Sequence, residues 1–316
     1  MTWTYTSDMI NPELLSAYVQ ERVVAKSSFI RAGIVVPDAK LTSMILAGGF
    51  EGRMPFYQQL TGAAEVLEED GTPLVVDNVE TAAERYIVLA RGKAFGASDL
   101  AKAFSGDDPM RAIGNMVGDY WTAQLNADTI AMIRGAFTAG NMAALVENIT
   151  TNPIEADVVI DAKARLGDAS QRLNTIMIHS ATYAKLKKDQ MIEYLRDVNF
   201  EGEIPFYLGM RVLVDDSLPT DGTDYVSYLL ADGSFSYGGN GAPVAFETGR
   251  NQLGGIDFLI SRSHHVIHPR GLSFTVDGTI GSTTPTNAEI IAGAEVTASR
   301  VFEIKNMGIV TILHRL

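Results

Sequence analysis

Apolar residues return every three to four positions between Met110 and Phe137: Met110, Ile113, Met116, Val117, Tyr120, Trp121, Leu125, Ile130, Ile133 and Phe137. That is the period of an α-helix with a buried stripe. Asp108 stands where an N-cap would, Pro109 occupies the first helical position, and Gly140-Asn141 follows as a stop. The predicted helix, 107–137, would be about 45 Å long, against an ordinary helix of about 11–12 residues. Gly114 and Gly118 lie inside it, at a cost of about 1 kcal/mol each, which points to a close-packed face or a bend. A second helix starts at Asn11-Pro12-Glu13 and runs to about Ser27, with Leu14, Leu15, Tyr18, Val19 and Val23 near helical spacing. One such stripe on a polar arm (residues 1–47) cannot bury itself and needs another surface to lie on.

Elsewhere the pattern is different. Residues 48–92 contain Gly48-Gly49, Gly52 and Gly62, then rise through Ala63–Leu67 to an acidic tip, Glu68-Glu69-Asp70-Gly71. Asp-Gly is a turn signal, and Leu74-Val75-Val76 and Tyr86–Leu89 read as strands on the return. The segment predicts a long β-hairpin with too little apolar content for a core, which is marginal alone. From 152 to 242 helix and strand alternate: a helix over 154–165, a strand over 175–178, a helix over 181–188, and strands over 212–214 and 225–230. Residues 243–316 return to strands at 244–247, 256–260, 266–268, 272–276 and 308–313, with a Gly/Thr/Pro loop at 278–287. No internal repeat is visible.

Composition narrows the functional classes. Of 316 residues, 46% are hydrophobic and 20% charged, as in ordinary folded domains. No apolar run reaches the roughly 20 residues of a membrane helix, and the first residues show no signal peptide. The absence of cysteine excludes disulfides and thiolate ligands. A net charge of −13 disfavours general binding to nucleic acid, while suiting a wall to which enclosed DNA should not adhere. The hairpin segment carries eight of the acids against Arg53, Arg85 and Arg91.

Candidate chemistry is sparse. His264 and His268 would share one strand face, but about 13 Å apart, too far for one metal ion. His179 and Ser180 point to opposite faces of a strand, Ser180 reads as a helix N-cap, and no nucleophile elbow is present. Asp215-Asp216 could bind a hard cation but reads more simply as a turn with Ser217, Leu218 and Pro219. Gly238, Gly239 and Gly241 match no nucleotide-binding fingerprint. A metal-dependent hydrolase built from His264, His268 and Asp215 or Asp216 is the alternative of another class. No catalytic residue, metal or cofactor is expected.

The order of elements, with particular residues, resembles the capsid subunit of tailed bacteriophages of the Hong Kong 97 type. The residues are Asn11-Pro12-Glu13, Ser27, Phe29 and Gly33 in the arm; Gly52, Pro55-Phe56, Leu60 and Gly62 in the hairpin; Leu166-Gly167-Asp168, Ile178-His179-Ser180, Tyr183, Leu186, Tyr207, Gly209, Val214-Asp215-Asp216, Leu218-Pro219 and Tyr228-Leu229 in the α/β block; and His268-Pro269 with Gly271 late in the chain. The resemblance implies an α+β Hong Kong 97-like capsid fold. It has an N-terminal arm (1–47), an extended β-hairpin loop (48–92), a peripheral domain with a long spine helix (93–151 and 243–316) and an axial α/β domain (152–242).

It also implies a structural protein of the virion, not an enzyme, forming pentamers and hexamers of an icosahedral shell. That shell would enclose double-stranded DNA without sequence-specific binding and without a membrane. Subunit contacts are then expected at Leu14, Tyr18 and Arg22 of the arm, and at Arg53, Phe56, Glu68, Glu69, Asp70 and Arg85 of the loop. In the founding member a loop lysine links covalently to a neighbour's asparagine; here no lysine lies between Lys40 and Lys93, so noncovalent contacts or a cementing protein are expected instead. A separate scaffolding protein and a portal are the further expected partners. An encapsulin-like nanocompartment shell is the alternative with the same fold.

Overall fold

The structure, a computed structural model, describes residues 28–60, 62–66, 76–99, 109–196, 203–239, 242–277, 280 and 282–316. Its organising element is β13 (Ile256–Pro269), one strand of 14 residues. The sequence reading divides it into strands at 256–260 and 266–268. The intervening Ser261–His265 is polar, yet it stays in the ladder because its side chains find partners on both faces.

One long edge of β13 pairs antiparallel with β4 (Leu89–Ser98). The other pairs first with β12 (Phe246–Asn251) and then with β11 (Phe235–Gly238). β1 (Val35–Pro37) adds in parallel to β11, completing a five-stranded sheet. The strand expected at 244–247 thus forms two residues later, where Phe246 is the first residue that can bury. The helix α1 (Ser28–Arg31) precedes β1, and α2 (Ala39–Leu46) follows it, capped by Asp38. α2 buries Leu41 against Gly238, where a Cβ would come within 2.8 Å of the leucine. The later part of the region read as a polar arm is therefore built into the body.

The helix expected at 107–137 is α3 (Pro109–Ala136), 28 residues long. The sequence suggests a stripe, but Ile130 to Ile133 are buried in succession. A helix stretch covered all round is one enclosed by other elements, and along its length α3 lies against β13 and α6 (Asn287–Ala292), while Met116 in its earlier part stays exposed. The glycine of close approach is Gly135, where an added Cβ would sit 2.8 Å from the Ile290 carbonyl oxygen. α6 was hidden from the sequence reading by the Gly/Thr/Pro run before it. Its capping box joins Thr286 and Glu289, and Gly293 ends it in a left-handed conformation.

The second sheet has seven strands in the order β5-β16-β10-β6-β9-β8-β7. These are β5 (Val146–Pro153), β6 (Leu173–Ile178), β7 (Glu193–Arg196), β8 (Glu203–Tyr207), β9 (Met210–Val214), β10 (Asp224–Ala231) and β16 (Ile309–Arg315). Helices α4 (Ala156–Ala164) and α5 (Ser180–Lys188) complete the block. β6 and β9 run parallel, with α5 in their connection, while β10 pairs antiparallel with β6 and β16. Ile176, Met177, Leu229, Leu230, Val310 and Ile312 fill the core. β16, read with the return strands of 243–316, thus sits inside this sheet, and β11, read with the α/β block, sits in the other. β14 (Leu272–Val276) pairs with β15 (Val296–Arg300), a strand the sequence did not reveal.

The Gly135 contact yields a test. Alanine would gain helix propensity of about 1 kcal/mol, but the neighbour at 2.8 Å is backbone and cannot rotate away. Gly135→Ala is expected to destabilise the subunit by about 1–3 kcal/mol, read as a lower midpoint of thermal unfolding.

Candidate functional site

The segment predicted as a long hairpin does begin as one. β2 (Glu51–Tyr57) pairs antiparallel with β3 (Thr81–Ile87), and one further bond, Gln58 N–H to the Glu80 carbonyl at 2.9 Å, continues it. Beyond that the limbs part around an open polar cleft of about 540 Å³, lined in part by Gln58, Gln59, Asp77, Asn78 and Glu80. The tip residues Glu68, Glu69 and Asp70, Leu74 and Val75 of the strand expected at Leu74-Val75-Val76, and the arm residues Leu14, Tyr18 and Arg22 lie outside the described residues; Val76 is described and is not in a strand.

The hairpin has two unlike faces. On the inner face Tyr86 joins Leu41, Ile45, Val88 and Val266 in a small core, with Met54 packed against it. Gly52 lies under the Tyr86 ring, where a Cβ would fall 2.2 Å from ring atoms, so no side chain fits. Phe56 meets Phe302 of its own chain edge to face, centroids 5.0 Å apart. Phe56, expected to face a neighbour, thus also has a partner within its own subunit. Glu84, buried, accepts from His268 Nε2 at 3.0 Å and from the Gly271 N–H at 3.1 Å. The outer face carries Arg53 directly opposite Arg85, then Pro55 opposite Ala83 and Tyr57 opposite Thr81.

A second buried cluster lies on the other side of β13. His265 Nε2 meets Asp128 Oδ2 of α3 at 2.9 Å, and Asn287 Nδ2 donates to Asp128 Oδ1 at 2.7 Å. Arg91 binds the Asn287 side-chain oxygen at 3.0 Å and stands 3.9 Å from Asp128. Nearby, Trp121 Nε1 donates to Ser261 Oγ at 2.7 Å. Ser263 Oγ lies 3.1 Å from His265 Nδ1, so serine, histidine and aspartate stand in the order a hydrolase would use. Here, though, both oxygens of Asp128 are bound and the pair is nearly sealed from solvent. Its role is to fasten α3 and α6 to β13.

The expected chemical candidates are dispersed. His268 is engaged by Glu84 and His265 by Asp128, and no group of three ligands suited to a metal exists among the described residues. Asp215 binds the Ser217 N–H at 2.9 Å, and Asp216 accepts from the Ser180 N–H at 3.2 Å. Both serve turns and helix ends. The N-cap of α5 is His179, whose Nδ1 accepts from the Ala181 N–H at 3.1 Å, and not Ser180. Gly238 belongs to β11. The sequence reading passed over Glu84 and Asp128. Their signal was an acid within a run whose period demands burial: Asp128 between Leu125 and Ile130, Glu84 two residues before Tyr86.

No family model matches the sequence. Solved structures from Mycobacterium phage Bobi (TM-score 0.55, 11% identity, 92% of this chain and 91% of that one) and Microbacterium phage Oxtober96 (0.54, 13%, 77% and 84%) share the fold. So does the capsid of Ralstonia phage GP4 (0.54, 10%, 92% and 91%). The long helix, the two sheets and the outlying hairpin are those of a phage capsid subunit of the Hong Kong 97 type. In sequence the chain is 37% identical, over 326 aligned positions, to the major capsid protein of Bacillus phage SPP1, covering 100% of this chain and 99% of that protein. The chain therefore belongs to the major capsid proteins of tailed bacteriophages: a structural component of the virion shell, not an enzyme.

Two predictions concern the buried acids. Glu84→Ala would leave His268 Nε2 and the Gly271 N–H without a partner, at a cost of about 1–3 kcal/mol for each stranded group. Faster hydrogen exchange across residues 81–87 is the expected readout. For Asp128, burial pushes the carboxyl up, but the His265 and Asn287 hydrogen bonds and the charges of His265 and Arg91 outweigh it and hold it below its usual value. Its contribution is present in full above the unfolded value of about 3.9 and is lost as pH falls through the lowered one. Asp128→Asn is expected to lower the unfolding midpoint at pH 7 and to flatten its decline below about pH 4.

Proposed function

We propose that this chain forms the pentamers and hexamers of an icosahedral shell that encloses double-stranded DNA, with the hairpin of residues 48–92 lying on a neighbouring copy. The observation that carries this reading is the hairpin's unmet apolar surface. Tyr57, Leu60, Val66 and Val76 are 77%, 72%, 79% and 89% exposed on an element with no core of its own. A two-stranded ribbon is marginal alone, and exposed apolar side chains gain about 25 cal/mol per Å² when a second surface covers them.

The division into arm, extended loop, peripheral domain and axial domain belongs to this reading. The five-stranded sheet, α3 and α6 make up most of the peripheral part, and the seven-stranded sheet centres the axial part. A scaffolding protein, a portal and a cementing protein are the partners such a shell calls for. The absence of lysine between Lys40 and Lys93 argues that loops are held without the lysine–asparagine link. A nanocompartment around an enzyme is disfavoured by the full-length similarity to a phage capsid protein.

Electron microscopy of the chain expressed with its neighbouring genes tests the reading. Closed polyhedral particles with an absorbance ratio typical of nucleic acid are expected once DNA is packaged. Intact mass of dissociated particles should give the single-chain value. A uniform population of monomers or dimers under every condition would overturn the shell, and masses at multiples of the chain would overturn the noncovalent loop.

A further inference from the structure

β13 is paired along both edges, but its partner β4 is not. The Asp99 N–H donates to the Gly255 carbonyl at 2.8 Å, and that pair continues the register in which Ser98 faces Ile256. In an antiparallel ladder, hydrogen-bonded pairs alternate with unbonded ones. The odd-numbered residues of β4 therefore turn their N–H and C=O groups to β13, and the even-numbered ones turn theirs away. Ala90 shows the same parity from the far side: its N–H donates to the Thr284 hydroxyl and its carbonyl accepts from it, each at 3.3 Å. Past that cap the main-chain groups of Gly92, Ala94 and Gly96 have no hydrogen-bond partner among the described residues, and all three residues are exposed.

Natural sheets blunt such edges with bulges, prolines or charge. The β4–β13 ladder has no register shift, and β4 contains no proline. Charge is present at Lys93, which is exposed and makes no ion pair among the described residues. Lys93 shares its parity with Phe95, which packs edge to face on Tyr120 of α3. The opposite face is apolar and low. Ala94, Gly96 and Ser98 stand there opposite Ile260, Phe258 and Ile256 of β13. Ile256 is exposed, and Phe258 and Ile260 are half-buried. A Cβ added at Gly96 would lie 3.4 Å from the Ile256 side chain and 3.6 Å from that of Phe258. An apolar side chain arriving from a further strand would cover that glycine and reach both, as aromatic residues do over edge glycines.

From this the geometry points to strand addition: along Gly92 to Gly96, β4 receives an extended segment of another protein, with apolar residues at alternate positions over the glycines and a carboxylate beside Lys93. Main-chain hydrogen bonds give such a contact its affinity, and the alternate side chains give it specificity. The open stretch spans about 13 Å, enough for a short extended segment. Lys93 selects the occupant. The β4 or β12 edge of a second copy would bring another Lys93 or Arg250 towards it, and like charges on paired strands repel, whereas an acidic residue is attracted. In the shell such a segment would be the arm of a cementing protein. That use rests on the shell reading, while the edge itself is tested in the full chain before assembly.

The probe is a capped heptapeptide with valine at the even positions and threonine at the odd ones, except for one glutamate. It is added to the full chain, and hydrogen exchange is read at single amides. The Gly92, Ala94 and Gly96 amides should slow at least about fivefold as their N–H groups gain partners, while the odd-numbered amides between them, already bonded to β13, stay unchanged. A peptide with lysine in place of the glutamate should bind about threefold more weakly, and Lys93→Glu should reverse that preference. Ala94→Pro removes an outward N–H and no ladder bond, so it should fold as wild type and lose the probe. Lys93→Glu carries the test should the proline variant fail to fold. No slowing with either peptide, equal slowing in folded Ala94→Pro, or an unchanged preference in Lys93→Glu would overturn the site. Slowing of the same amides when the chain assembles without peptide would assign the edge to a second copy and overturn the proposal too. Each of these outcomes leaves the shell reading standing, since that is decided by whether closed particles form.

Discussion

β13 is held from both sides by buried bonds to carboxylates, and much of the subunit is arranged around that clamp. His265 and His268 are three residues apart, and an odd separation on a strand sends side chains to opposite faces. Ser261 and His265 face α3, where Trp121 and Asp128 wait for them, while Val266 and His268 face the hairpin, where Tyr86 and Glu84 do. A buried polar group is costly unless it is paired. Displacing either element would strand an acid and an imidazole together, so both are fixed in register and not merely in proximity. Apolar packing would tolerate sliding that a hydrogen bond at 3 Å does not.

The clamp explains how one chain can carry a rigid body and an element that has no independent stability. Phe56 on Phe302, Tyr86 over Gly52, and Glu84 on His268 make the hairpin's root part of the body. Past Gln58 the large apolar side chains Leu60, Val66, Val76 and Val79 among the described residues are exposed. The division is sharp because inward and outward faces alternate residue by residue along β2. Arg53 and Arg85 fall on the outward parity as strictly as Met54 and Glu84 fall on the inward one.

Much of this organisation was legible from residue order. The period from Met110 to Phe137 marked α3, Tyr86-Ile87 marked the returning strand of the hairpin, and the alternation after Ile154 marked the α/β block. What escaped has a common physical cause, which is that partners distant in sequence override local signals. Polar Ser261–His265 looks like a break between strands until Trp121, Asp128 and Ser263 satisfy it. α6 and β15 hide behind a Gly/Thr/Pro run, and α6 matters because Gly135 lets it approach α3. The histidines drew attention for their chemistry, yet the informative residues were the two acids answering them, 137 and 184 positions earlier. Of the contact residues expected on the hairpin, Phe56 meets Phe302 of its own subunit.

The strand order of the seven-stranded sheet has a consequence for how the protein is made. β16 is the last of the seven along the chain, yet it lies inside, between β10 and β5. Until residues 309–315 are synthesised, β10 keeps an open edge and its apolar side chains lack a lid. The nascent chain therefore cannot finish this domain on the ribosome by adding strands in order, and must hold its earlier strands unfinished, a state prone to aggregate. A polypeptide interrupted before β16 would lack a completed sheet to offer its neighbours.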